Sequence, residues 1–398
     1  MIVLAGGDVV LPDRVLPQAS VLIDGARIAA IDPRARVDPA GATILDVRGC
    51  CVVPGFVDTH VHGIEGFDTL DPGQPVAEMA LRLPRYGVTA FCPTTVACAP
   101  PALADVLAQV AAARASRPAA GAHVLPAHLE SNFINPEYRG AQPAECLRLP
   151  RPAEDGRDAG FSARDILDVI AGARSDVGVV TLAPELPGGP DLVRALVAAG
   201  HRVSLGHSGA SLDDAMAAID AGATRVTHLF NRMAPFAHRT PGLVGAALSR
   251  DELAVELICD GCHVHPAACR AAVRAKGVDR VMAITDGTAA SGLPAGSQAC
   301  LGRRRLHVTD QVAVLDDGTW AGSTLTMDGA FRTIVTAFGG TLVDAARLCA
   351  TTPARELGLT DRGALVEGTL ADVTVLDRSC RVLRTFIDGQ PVYVSAPA

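Results

Sequence analysis

The sequence predicts an α/β chain, a (β/α)8 barrel carrying a small β-sandwich domain assembled from both termini. Three observations carry that expectation. Strand-like and helix-like stretches alternate through the middle of the chain, short β runs occupy both ends, and histidines and carboxylates recur where the central strands stop. At 398 residues the chain also exceeds the roughly 250–300 residues that one core supports, so one large and one small domain is the natural partition.

In chain order, the first β runs fall at residues 9–12, 20–31 and 43–47, with Asp24-Gly25 as a hairpin turn inside the second. Runs of the same kind return at 368–377 and 382–389. Neither end is long enough for a core of its own. The two therefore join, which places the small domain at 1–53 and 359–398 and the barrel at 54–358. Eight candidate strands are centred near residues 57, 90, 126, 180, 204, 226, 256 and 282. Alanine- and leucine-rich helical stretches lie between them, the clearest at 102–116, 163–173, 191–199 and 212–221. Alternation of this kind implies parallel strands covered by helices. A doubly wound open sheet competes with the barrel, but no Gly-x-Gly-x-x-Gly follows the first strand.

Composition excludes several functions. Net charge is −8, from 35 basic and 43 acidic residues, with no basic cluster and only 4% aromatic residues, so no nucleic-acid partner is expected. The start of the chain, Met1 to Asp8, has no basic segment of the signal-peptide kind, and no apolar run reaches the roughly 18–20 residues that span a bilayer. No membrane partner and a cytoplasmic location are the expectations. The 11 cysteines are an odd number and scattered, as for reduced, buried thiols. Lys276 is the only lysine and stands at no strand end, which leaves Schiff-base chemistry and a lysine carbamate bridging two metals a single, poorly placed candidate.

The polar residues carry the function. In a barrel of this type, chemistry sits at the C-terminal ends of the strands. The first strand ends in His60 and His62, which share a face because residues i and i+2 of a strand do. The third ends in Glu130, the fifth in His207, the sixth in His228 and the eighth in Asp286. A single histidine at a strand end is usually a structural residue. Four histidines and two carboxylates at five of eight ends predict a metal-dependent hydrolase. Imidazole and carboxylate suit zinc, iron and similar divalent ions, and such an ion lowers the pKa of water to about 7. One or two ions are expected, with Glu130 the bridging ligand. Asp286 would take a proton from water and pass it to the leaving group.

A competing pattern, Cys259-Asp260-Gly261-Cys262-His263, matches the motif for covalent haem attachment and also that of a thiol or zinc site. It falls at the end of the seventh strand, where His263 is expected to face the barrel mouth as a substrate contact. His265 and His307 are expected to be structural or surface residues.

These residues resemble the amidohydrolase superfamily and, within it, the N-acetylglucosamine-6-phosphate deacetylases. The similarity runs through residues 54–63, His128-Leu129-Glu130, 133–136, 181–185, Gly206-His207-Ser208, 227–231, 260–264, Thr285-Asp286 and 322–328. The resemblance implies one ion on Glu130, His207 and His228, and a second on His60 and His62 with Glu130 shared. It implies Asp286 as general acid/base and His263 as a residue that helps polarise the amide carbonyl. Asn231 and the backbone at Arg232 would form a phosphate-binding turn. Arg239 would reach the substrate phosphate of the neighbouring subunit in a homodimer, a role suited to a bidentate guanidinium.

Three departures from the family pattern fall near the substrate pocket: Ser131-Asn132 after Glu130, Gln142 in place of a substrate-binding histidine, and Arg232 in place of a small residue. The expected reaction is removal of the acetyl group from N-acetylglucosamine 6-phosphate, giving glucosamine 6-phosphate and acetate. The alternatives are deacetylation of a related N-acyl amino sugar, such as another hexosamine phosphate or a non-phosphorylated one, and a catalytically inactive barrel that binds a metabolite.

Overall fold

A computed structural model describes residues 1–33, 41–151, 160–309 and 312–396. Eight parallel strands form the barrel: Phe56–Val61, Val88–Thr95, Ala127–Glu130, Val177–Leu182, Arg202–Leu205, Arg225–Val226, Ala254–Ile258 and Val281–Ile284. They pair in chain order, each with the next. Val88–Thr95 is buried along its whole length, as a parallel strand covered on both faces must be. The seam between the eighth and first strands is closed by backbone hydrogen bonds just beyond the eighth. Asp286 N donates to the His60 carbonyl at 2.9 Å, and His62 N donates to the Gly287 carbonyl at 2.7 Å.

The helices anticipated at 102–116, 163–173, 191–199 and 212–221 are Pro100–Ala115, Ala163–Gly172, Gly189–Ala198 and Leu212–Asp220. Ser162 and Ser211 start two of them through reciprocal capping with Asp165 and Asp214, and a proline opens two others. Their apolar faces pack on the outside of the barrel in a core that includes Phe56, Phe91, Leu103, Ile166, Leu196 and Phe331.

The terminal segments form one sheet. Its order is Gln390–Val394, Val382–Ile387, Val373–Leu376, Cys51–Pro54, Ile2–Val10, Val15–Asp24 and Arg27–Asp32, with Thr43–Asp46 also against Ile2–Val10. The two ends of the chain meet where Val373–Leu376 runs antiparallel to Cys51–Pro54. Its own core holds Leu4, Val21, Ile23, Val52, Val373 and Phe386. Thr374 and Thr385 fasten this sheet to the barrel by donating to the carbonyls of Gly87 at 3.0 Å and Pro84 at 2.7 Å.

Two details differ from the sequence expectation. The stretch 122–130 is split into His123–Val124 and Ala127–Glu130, because Pro126 has no N–H for the ladder. A three-stranded antiparallel sheet, Gln298–Leu301, Arg304–Val308 and Ala313–Leu315, follows the eighth barrel strand and was not anticipated. It packs on Val96 and Ala290, over the barrel mouth. Among the described residues, no helix is long and apolar enough to cross a membrane.

Candidate metal centre

The strand-end residues converge. Glu130 closes its strand, and His60 lies within the first strand with His62 one residue past it. His207, His228 and Asp286 each stand two residues beyond their strands. All three have left-handed backbone, with φ of 49°, 29° and 47°. Such values cost a non-glycine residue of order 1–3 kcal/mol and persist where the surroundings over-determine them. From these turns the three side chains reach the buried clusters they share with Glu130, His60 and His62.

Two donor sets result. Glu130, His207 and His228 form one: Glu130 Oε1 is 2.9 Å from His207 Nε2 and 2.8 Å from His228 Nε2. His60, His62 and Asp286 form the other: Asp286 Oδ1 is 3.3 Å from His60 Nε2 and 3.2 Å from His62 Nε2. Within each set the ligand atoms lie within 4.8 Å of one another. Glu130 also faces the second set, with Oε1 3.7 Å from His60 Nε2 and Oε2 3.5 Å from His62 Nε2, as a shared ligand requires. Two rings are held in the tautomer that frees Nε2. His207 Nδ1 donates to the Tyr138 carbonyl at 2.8 Å, and His60 Nδ1 to Glu256 Oε2 at 3.0 Å. Imidazoles and carboxylates so locked and converging fit a divalent ion at each set.

Electrostatics agree. Burial opposes ionisation of Glu130, but the charge of His207 and hydrogen bonds from His207, His228 and His62 hold its carboxyl well below the usual range. Asp286 is lowered too: the charge of His60 and the hydrogen bond from His62 outweigh burial. In this ion-free cluster His62 is pushed up to about 10, since its bonds to Asp286 and Glu130 overcome burial, and His228 to about 9 through Glu130. His128, buried beneath them and beside His60, is pushed down to about 3.

A cavity of about 550 Å³ opens above the ligands, lined by His62, Glu130, Gln142, His207, His228, Asn231, Arg232, His263 and Asp286, with Val96, Leu301 and Trp320 as an apolar wall. His263 is fixed by Asp260, which accepts from its Nδ1 at 2.6 Å, and meets Trp320 edge-to-face at 5.2 Å between ring centroids. Arg232 is exposed and lies over Gly140 at the rim. Arg239 is exposed and outside the cavity lining.

Gln142 is buried. Its Oε1 accepts from Ala97 N at 2.7 Å and its amide donates to Glu130 Oε2, so it orients that carboxylate as well as lining the cavity. Ser131 and Asn132 are committed to backbone carbonyls: Ser131 donates to Thr181, and Asn132 to Cys98 and Cys146 at 2.8 and 2.7 Å. That departure is therefore structural. No cysteine belongs to any metal-type cluster among the described residues, and burial drives the Cys259 thiol well above its ordinary pKa. His265 caps the helix Pro266–Lys276, and His307 pairs with Asp316 at the surface.

Several site residues were not singled out from the sequence: Asp260, Tyr138, Trp320, and the buried Arg225 and Glu256 beneath His60. A charged residue at the centre of the otherwise apolar strand Ala254–Ile258 was the available signal for Glu256.

A parallel barrel with two histidine–carboxylate sets at its C-terminal mouth defines a metal-dependent hydrolase of the amidohydrolase type. The amidohydrolase family model matches residues 51–392, and the chain belongs to that family. Within it, the chain is similar to proteins that act on N-acetylhexosamine phosphates. It is 39% identical over 367 residues to the N-acetylglucosamine-6-phosphate deacetylase of Rattus norvegicus, covering 89% of this chain and 86% of that protein. It is 36% identical over 374 residues to the N-acetylgalactosamine-6-phosphate deacetylase of Escherichia coli O157:H7, covering 93% of each. Among solved structures it matches the Mycobacterium smegmatis N-acetyl-D-glucosamine-6-phosphate deacetylase, an aspartate-to-alanine variant in complex with N-acetyl-D-glucosamine-6-phosphate. That match has 32% identity and a TM-score of 0.86, over 98% of this chain and 99% of that one.

Proposed function

We propose that the chain removes the acetyl group from N-acetylglucosamine 6-phosphate, giving glucosamine 6-phosphate and acetate. The observation that carries this reading is the convergence of Glu130, His207, His228, His60, His62 and Asp286 under one cavity whose rim adds Asn231 and Arg232. The relatives named above support the substrate class. Glu130, His207 and His228 would hold one divalent ion, and His60, His62 and Asp286, with Glu130 shared, a second; zinc or iron suits these donors. When bound, the ion polarises the acetyl carbonyl and lowers the pKa of water to about 7.

The chain's own groups then divide the work. Asp286, ionised in the resting site, accepts the proton of the attacking water and returns it to the departing amine nitrogen as the amide C–N bond breaks. His263, its ring fixed by Asp260, orients the acetyl carbonyl. Gln142 holds Glu130 in place. Asn231 and the backbone at Arg232 take the phosphate, the Arg232 guanidinium adds positive charge at the rim, and Arg239 of a second subunit completes the phosphate site in a cytoplasmic homodimer.

One substrate panel tests this reading: acetate release from N-acetylglucosamine 6-phosphate, N-acetylgalactosamine 6-phosphate and N-acetylglucosamine. The 6-phosphate is expected to raise kcat/KM by at least ~100-fold, in line with a charge-assisted bidentate contact of about 3 kcal/mol, and Arg239→Ala to abolish most of that gain. Equal rates with and without phosphate would overturn the phosphorylated substrate. The E. coli relative favours the galactosamine epimer as a second reading, which the same panel resolves. Absence of acetate from every substrate would leave the inactive binding barrel.

A further inference from the structure

The barrel interior beneath the ligands is unusually polar. His128 Nε2 lies 2.8 Å from Thr181 Oγ1, which lies 2.7 Å from Thr227 Oγ1, which lies 2.6 Å from Ser204 Oγ. Within this layer stand two full charges with no access to solvent. Arg225 and Glu256 are both 0% exposed, and Arg225 Nη2 donates to Glu256 Oε1 at 3.0 Å. Arg225 Nε and Nη1 have no hydrogen-bond partner among the described residues. A pair in that position is poor as a stability device, because desolvation consumes what attraction returns, and aliphatic residues of equal volume often serve better. Its free end has an evident use. The second carboxylate oxygen of Glu256 takes the Nδ1 hydrogen of His60 at 3.0 Å.

The four ligand histidines are not equally held. His207 is fixed by a neutral carbonyl, while Nδ1 of His62 and Nδ1 of His228 have no hydrogen-bond partner among the described residues. His60 alone rests on a carboxylate. In the set formed by His60, His62 and Asp286, it is the one imidazole whose tautomer and ring plane are fixed from behind. An anionic acceptor also makes the opposite nitrogen a stronger donor to a metal.

We propose that Glu256 is a positioning residue for the second metal ion: backed by Arg225, it fixes His60 so that Nε2 faces the ion held with His62 and Asp286. This rests on the reading of His60 and His62 as ligands of that ion. Glu256 touches neither ion nor substrate, and its effect is confined to one of the two sites.

The test is a zinc titration of the full chain against a competing chelator, with bound zinc counted by elemental analysis and folding followed by melting temperature. Wild type is expected to hold two equivalents. Glu256→Gln, which keeps the shape and loses the charge, is expected to hold the Glu130, His207 and His228 ion at wild-type affinity and to bind the other ~10–100-fold more weakly. Arg225 is left unpaired by that change, so Glu256→Gln/Arg225→Met, which removes both charges at similar volume, provides a second folded variant and is expected to show the same selective loss. Two equivalents at wild-type affinity in a folded variant would overturn the inference, as would equal weakening of both ions, the mark of a merely structural role. A single equivalent in wild type would overturn the two-ion reading itself.

Discussion

Replacing Asp286 by asparagine separates proton transfer from metal binding at Glu130, His207 and His228, a set to which Asp286 does not belong. Asp286 is 8% exposed, with Oδ1 3.3 Å from His60 Nε2 and 3.2 Å from His62 Nε2. Asparagine has the same shape and keeps an oxygen at that point, so the ligand geometry survives. What is lost is the capacity to accept a proton and the negative charge that Asp286 brings to the set with His60 and His62, so an ion held there is expected to weaken. A positioned general base is worth ~10²–10⁴ in rate, about 3–5 kcal/mol of barrier, and that is the expected fall in kcat with KM little changed. The assay is the initial rate of acetate release from N-acetylglucosamine 6-phosphate, run beside elemental analysis of the same protein. The ion on Glu130, His207 and His228 is expected to remain. Turnover within about tenfold of wild type would refute the assigned role. So would loss of that ion, because the defect would then lie in metal binding.

The other expectations are more compact. His60→Gln with His62→Asn is expected to remove one equivalent of metal and keep the other; loss of both would mean that the sets formed around Glu130 and Asp286 do not bind independently. Metal binding is expected to expel protons. With His62 raised to about 10 and His228 to about 9 in the ion-free cluster, both rings carry a proton at about pH 8 that a bound ion must displace, so affinity rises with pH until about pH 9–10. Calorimetry in buffers of different ionisation enthalpy reads that release directly, and buffer-independent heat would contradict it. Gly322→Ala is expected to lower kcat by ~10–100-fold through a shift of Asp286. At φ +51° the added Cβ would stand 2.7 Å from the Asp286 carbonyl and 2.5 Å from Thr288 Cγ2. Wild-type kcat and melting temperature together would show that the loop absorbs the methyl group.

What could be seen in the sequence followed from periodicity. His60 and His62 fall on one face by strand geometry alone, and alternation of strand and helix places Glu130, His207, His228 and Asp286 at one mouth. The left-handed turns at His207, His228 and Asp286 are set by tertiary packing and have no local signature, since none is glycine. Gln142 sits in a long connection between the third and fourth strands, where no period applies, so its bond to Glu130 could not be read. Glu256 is hidden differently: it stands at mid-strand, away from the strand ends where a barrel carries its chemistry. The strands Gln298–Leu301, Arg304–Val308 and Ala313–Leu315 were not legible, because an insertion after the last strand is no part of the barrel repeat.

The seam between the first and eighth strands has a consequence for assembly. It joins segments some 225 residues apart, while every other neighbouring pair in the barrel is also adjacent in chain order. Loop closure makes such a pairing costlier than those between strands adjacent in the chain, and until it forms both edges stand open. His60 and His62 lie on one of those edges and Asp286 on the other. An ion held by all three therefore recognises only the completed ring. It acts as a clasp across the join, and its stabilisation is gained only once the ring is closed.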